Sequence, residues 1–300
     1  QSSVQTVTAA EQGLQLYQYN GRDKVVVGTK LRTYSSEVRV RRLVNGSVAS
    51  GAEAVTVNLR CVAADICSVP ETVTIPANSS EVYFQVTGLE VGSTQIEATA
   101  EGATSAMPIT VEVIEPQINF ASLDNNRTTA SVRDNFSINV SVPGASYGTY
   151  QYAAEPLTVN LALTDQEPDG VVSGIYTANT GGNLITQAVI SADNRNTSTF
   201  YIAQPSKAGT YRVSAEIAGV AGGQSSVQTV TAAEQGLQLY QYNGRDKVVV
   251  GKGLRTYYYG EVRLRRLVNG SVASGAEAVT VSLRCVAADI CSVPETVTIP

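Results

Sequence analysis

Residues 55–86 read VTVNLRCVAADICSVPETVTIPANSSEVYFQV. Val55, Val57 and Leu59 fall on one side of an extended chain, with Thr56, Asn58 and Arg60 on the other. Val82, Phe84 and Val86 alternate with Tyr83 and Gln85 in the same way. An apolar–polar period of two marks a strand with one face in a core. The pattern returns at Phe136, Ile138, Val140 and Val142, at Leu157, Val159, Leu161 and Leu163, and at Tyr211, Val213, Ala215 and Ile217. Turn dipeptides separate such runs: Asn20-Gly21, Asn45-Gly46, Asp169-Gly170 and Gly181-Gly182. No segment carries a helical period. Several short strands in each stretch of roughly 110 residues predict a two-sheet antiparallel sandwich. The expected fold class is therefore all-β, as tandem immunoglobulin-like antiparallel β-sandwich domains in an extended array.

A long internal repeat sets the organisation. QSSVQTVTAAEQGLQLYQYNGRDKVVVG begins at Gln1 and again at Gln224, and the match runs on to Pro76 and Pro300. Six substitutions and one insertion separate the copies: Thr29-Lys30 becomes Lys252-Gly253, Ser35-Ser36 becomes Tyr258-Tyr259 followed by the added Gly260, Val40 becomes Leu264, and Asn58 becomes Ser282. The period of 223 residues exceeds a solenoid unit and suits two domains of about 100–120 residues each. A weaker likeness divides it, AEAVTVNL at 52–59 with AEPLTVNL at 154–161, and GSTQIEATAEG at 92–102 with GTYRVSAEIAG at 209–219. The expected domains are residues 11–116, residues 117–233, and residues 234–300, the last a second copy of the first type lacking its final strands. Residues 1–10 then read as the last strand of a preceding domain, so the chain reads as a section of something longer. Val40→Leu264 keeps an inward position apolar and Asn58→Ser282 keeps an outward one polar. The largest change falls between strands, where insertions are tolerated.

Composition narrows the functional classes. A hydrophobic fraction of 43% with 16% charged residues and a mean hydropathy of −0.01 excludes a polar disordered tail. No run of about 18 uncharged apolar residues exists, so no membrane insertion is expected. Histidine is absent, which removes the commonest general base and metal ligand at neutral pH; no catalytic residue is predicted. A net charge of −5 argues against nucleic acid as a partner.

The cysteines come in pairs, Cys61 with Cys67 and Cys285 with Cys291, each within CVAADIC. A reversing loop of this length brings two sulfurs together, so a disulfide is the leading expectation, beside buried thiols or a redox pair. Two cysteines without histidine fall short of the four ligands of structural zinc. A structural disulfide implies an oxidising compartment, and hence an extracellular or cell-surface location. Asp165, Glu167 and Asp169 stand at alternate positions before Gly170, as oxygen ligands do in the first half of a calcium loop. The twelfth position is Tyr176, so this is not an EF-hand; the alternative is a solvated acidic turn. Asp193, Asn194 and Asn196 form a second oxygen-rich turn, and Glu115, Asp124 and Glu234 lie at the domain junctions. Calcium is the one cofactor these patterns suggest.

Arg39 and Arg41 alternate with Val38 and Val40 and are expected on an exposed sheet face. There they would meet anionic glycans or a neighbour's carboxylates, or simply solubilise the sheet. Tyr258 and Tyr259, with Tyr257, form one tyrosine group, and Tyr147, Tyr150 and Tyr152 another. Such groups stack on sugars, anchor protein interfaces, or pack locally.

The pieces V-x-I-P-A-x-S-S at 73–80, V-T-G-L at 86–89 and G-x-T-x-I-x-A-T-A-x-G at 92–102 resemble the second half of bacterial immunoglobulin-like tandem repeats of large cell-surface adhesins. The resemblance covers the first domain well and the second loosely. It implies a stalk that holds an adhesive tip away from the cell, with neighbouring repeats of the same chain as partners, and laterally associated copies or surface glycans and proteins as further ones. A polymerising filament subunit and a glycan-binding accessory module are the alternatives.

Overall fold

The computed structural model describes all residues except 1–9, 20, 23, 36, 147–149, 242–247, 257–260, 274–277 and 300. The fold is all-β, with no α-helix among the described residues. In the first domain, one sheet carries Gln12–Gln18, Val38–Val44, Ser47–Val48 and Glu81–Phe84, with Val38–Val44 at its centre. The facing sheet runs Lys24–Gly28, Ile109–Ile114, Gly92–Thr99, Val55–Cys61, Thr72–Ile75. Its first pair is parallel, and the rest are antiparallel. The alternating residues meet between the sheets: Leu14, Leu16, Val38 and Val40 pack in one buried cluster with Val57, Ile96, Val111 and Val113. At the Asn45-Gly46 turn both residues have positive φ, 50° and 77°, the two-residue geometry that matches strand twist.

The second domain repeats this connectivity with different side chains. Gln117–Ala121, Asp134–Ser141, Phe200–Ile202, Ile175–Tyr176 and Leu184–Ile185 make one sheet. The other runs Asn126–Thr128, Gln228–Thr231, Gly209–Ile217, Leu157–Glu167, Gln187–Ile190, and again an early strand pairs parallel with the last. Phe136, Ile138 and Val140 face Val159, Tyr211 and Val213 across its core. Arg127 is buried there at 2% exposure. Its guanidinium donates to the Tyr211 hydroxyl at 2.9 Å and to the Val132 and Ala203 carbonyls, so the buried charge is hydrogen-bonded on several sides.

The third unit shows Gln235–Gln241 paired with Val262–Val268, and Val279–Ser282 with Thr296–Ile299. Leu237 and Leu239 are 49% and 59% exposed, where their first-copy counterparts Leu14 and Leu16 are 5% and 8% exposed. In the first domain, strands from residues 81–114 help to enclose those leucines, and residues 234–300 contain no repeat of them.

The cysteines are paired as Cys61–Cys67 and Cys285–Cys291, with Cα atoms 5.9 and 6.0 Å apart. The first bridge ties the end of the strand Val55–Cys61 to the short strand Cys67–Ser68. That strand pairs with Thr87–Gly88, Thr87 pairs with Arg32, and Leu31–Arg32 pairs with Tyr152–Ala153 of the second domain. The disulfide thus anchors one end of a sheet that crosses from one domain to the next. Replacing Cys61 and Cys67 by serine should cost about 2 kcal/mol, the entropy of so short a loop. Thermal denaturation of the full chain checks this, with the variant melting at lower temperature.

Candidate functional site at the joint between the first two domains

The strand Leu31–Arg32 is the hinge of the site. Lys30 enters it with φ of 62°, a left-handed turn that swings the chain out of the first domain's main sheets and over the second domain. Leu31, 0% exposed, and Val26, 5% exposed, lie in the hydrophobic cluster of the second domain. Val25 and Val27, on either side of Val26, point into the core of the first. One strand therefore feeds two cores. Gly28 permits the approach: a β-carbon there would lie 2.8 Å from Val142, 2.8 Å from Leu31 and 2.9 Å from Pro116.

Polar groups covered by this contact are matched across it. Gln151 is fully buried. Its amide nitrogen donates to the Val26 carbonyl at 2.7 Å and its oxygen accepts from the Gly28 amide at 2.9 Å. The Ala154 amide donates to the Lys30 carbonyl at 2.9 Å. Arg22 donates to the Gly144 carbonyl at 2.9 Å. Arg32 pairs with Asp193, and the Asp193-Asn194 turn is itself fixed by backbone bonds to Ala153. Tyr34 stacks on Tyr152 with ring centroids 6.3 Å apart and meets the edge of Tyr150 at 6.4 Å.

Beside these rings lies a buried acid. Glu37 is fully buried and accepts from the Gln18 amide at 2.9 Å, while Gln18 also reaches Ser146 of the second domain at 3.3 Å. Glu37 Oε2 and Gln18 Oε1 have no hydrogen-bond partner. Burial pushes the Glu37 carboxyl above its ordinary range, against the lowering effects of the Gln18 bond, a backbone bond at Tyr34 and the Arg22 charge. Burial likewise raises Asp134 and the Tyr211 hydroxyl in the second domain, each opposed by Arg127.

Several sequence expectations change. Arg39 and Arg41 are on the outward face of Val38–Val44, but Arg39 is only 7% exposed. Glu81 bonds both, at 2.6 and 3.1 Å, and the two guanidiniums lie over the rings of Tyr17, Tyr19 and Tyr83. One carboxylate is thus shared between two guanidiniums that also pack on tyrosine rings, so both side chains are held within their own sheet. Tyr258 and Tyr259 lie outside the described residues, as does Tyr147. Asp165, Glu167 and Asp169 do not converge. The strand Leu157–Glu167 continues through the first two of them, with a register shift after Thr164. Asp165 faces Arg212 at 3.4 Å, and the Asp169 carbonyl takes the Lys207 ammonium. Among the described residues no three His, Cys, Asp or Glu side chains gather as a metal site. The oxygen-rich turn at 193–194 belongs to the joint, through Arg32.

No protein-family model matches the chain, and no curated protein matches it. Solved structures with similar folds include the S-layer protein rSbsC(31-844), 12% identical, over 92% of this chain and 34% of that one, with a TM-score of 0.36. The Yersinia pseudotuberculosis adhesin InvE is 9% identical over 84% of this chain and 72% of that one, with a TM-score of 0.33. The D00-D0 domain of intimin is 12% identical over 73% and 99%, with a TM-score of 0.29. Likenesses this weak carry no argument about activity or partner, and the architecture rests on the strand pairings described above.

Two outcomes test the joint. Gln151→Ala removes both bonds and strands the Val26 carbonyl and Gly28 amide, a cost of about 2–4 kcal/mol. Calorimetry should show the first two domains melting in one step in the parent chain and in separate steps in the variant. For Glu37, the folded state holds its proton more tightly than the unfolded chain, where the carboxyl titrates near 4.5. The folded state then binds more protons just above that pH, so this contribution is full below it and is lost as pH rises through the raised folded value. Glu37→Gln should abolish that fall and leave the variant melting a few degrees above the parent at pH 7. Melting temperatures of both chains between pH 4 and 8 check it.

Proposed function

We propose that this chain is a structural segment of an extracellular array of β-sandwich domains, a stalk or filament that serves surface adhesion or cell–cell contact, and that it carries out no catalysis. The observation that carries this reading is the joint itself. Strand pairing, a shared apolar cluster and the two bonds of Gln151 fix one sandwich upon the next. A junction so built transmits orientation and force, which is what a stalk requires. The paired cysteines support an oxidising, extracellular location. Placing an unlike domain between two near-identical copies supports an array in which neighbours are kept from exchanging strands, a failure mode of multidomain chains. The partners in this reading are the neighbouring repeats, and beyond them laterally associated copies or surface glycans and proteins.

Small-angle scattering of the full chain tests the reading. A single compact globule of this length has a radius of gyration of about 19 Å. A stalk segment should give a clearly larger value that is independent of protein concentration. A value at the compact limit overturns the stalk. Mass that grows steadily with concentration favours the filament-subunit form of the proposal.

A further inference from the structure

The differences between the two near-identical copies are not scattered. Of the six substitutions, four, together with the inserted glycine, fall at positions 29–30 and 35–36. These flank Leu31–Arg32, the strand by which the first domain pairs with the second. The remaining two, at 40 and 58, lie in the first domain's own sheets.

Each clustered position has a task at the joint or borders a residue that does. Lys30 gives its carbonyl to the Ala154 amide. Its stem runs over the turn at Gly219, where a β-carbon would lie 3.3 Å from Lys30 Cε. Gly253 in the second copy has no such stem. Thr29 is 7% exposed, and its amide and hydroxyl both donate to the Ile114 carbonyl, two residues before Pro116 and the second domain. Lys252 would have to bring an ammonium out of that enclosed place. Ser35 follows Tyr34, whose ring packs on Tyr150 and Tyr152. Two tyrosines and a glycine in place of two serines change the bulk beside that stack. Meanwhile Gly28, Leu31, Arg32, Tyr34 and Glu37, the invariant part of the docking face, recur as Gly251, Leu254, Arg255, Tyr257 and Glu261.

We infer that positions 29–30 and 35–36 select which sandwich this type of domain docks, and that the second copy's set fits a β-sandwich domain whose docking residues differ from Val142, Gly144 and Gln151–Ala154. The common residues make the face a docking face, and the changed ones decide its partner. In a chain where the same domain type recurs, this keeps the second copy from competing for the loop that belongs to the first.

The experiment grafts the second copy's set into the first within the full chain: Thr29→Lys, Lys30→Gly, Ser35→Tyr and Ser36→Tyr, with a glycine inserted before Glu37. Hydrogen exchange is read at the Gly28 and Ala154 amides, which donate across the joint, and at Val111 and Val213, which report the two cores. The graft should exchange at least tenfold faster at Gly28 and Ala154 with both cores unchanged. The control chain Val40→Leu/Asn58→Ser should match the parent at all four. Half-grafts, Thr29→Lys/Lys30→Gly and the tyrosine pair with its glycine, are read the same way, and selective loosening of the joint in either supports the assignment. Parent-like protection of the joint in every graft overturns it. So does loss of core and joint protection together in every graft, since the positions would then belong to the fold of the domain and not to its choice of partner.

Discussion

A joint that excludes water must pair every backbone group it covers, because an unpartnered amide or carbonyl there costs more than most contacts return. This requirement organises the first two domains. Val26 and Gly28 lie on a strand that leaves one carbonyl and one amide facing the neighbour, and the fully buried side chain of Gln151 supplies a donor and an acceptor to those two groups. A hydrophobic residue at 151 would fill the space and leave both groups bare. A charged one would bring a desolvation cost with only half the match. Once the amide is in place, Val26 and Leu31 can enter the second core, and the Tyr34 and Arg32 contacts follow around the edge.

The next joint is made differently. Among the described residues, the sheet of Gln235–Gln241, Val262–Val268 and Ser271–Val272 includes no strand of the second domain, and no residue beyond 230 enters that domain's apolar cluster. Asn269 reaches back with a single bond to the Thr128 hydroxyl at 3.3 Å, at an exposed position. A shared sheet resists bending and twisting through several coupled bonds, whereas one exposed side-chain bond competes with water and resists little. Among the described residues, the coupled contacts therefore gather at the joint between the first two domains.

The sandwiches were legible in the sequence because burial on one face forces a period of two, and rows such as Phe136, Ile138 and Val140 have no other use for it. The joint was not. Its central strand is two residues long, Leu31–Arg32, and its partner Tyr152–Ala153 is some 120 positions away, so neither has a periodicity to read. Gln151 looks like a loop residue until the chain that it serves is beside it. The arginines show the opposite failure. Alternation put Arg39 and Arg41 on the correct face, yet exposure depends on what adjoining strands place around them, and Tyr17, Tyr83 and Glu81 enclose them. The acidic run at 165–169 was read as a loop because of its glycine; a strand with a shifted register occupies most of it.

Glu37 lies beside the same joint. A buried carboxyl with one orphan oxygen is an expensive residue, and both copies have it, as Glu37 and Glu261. In the third unit the Glu261 side chain remains 45% exposed beside Arg263, whereas Glu37 lies fully buried next to Gln18, which bridges to Ser146 of the second domain. The groups that face Glu37 are Gln18, the Tyr34 backbone and Arg22, and the last is held in place by the Gly144 carbonyl across the joint. Desolvation outweighs all of them. Any part of that burial contributed by docking would link docking to the proton, a docked state binding it more tightly than an open one. Glu37 thus adds a cost to the folded state that grows with pH, at a position whose neighbours Gln18 and Arg22 both reach the second domain.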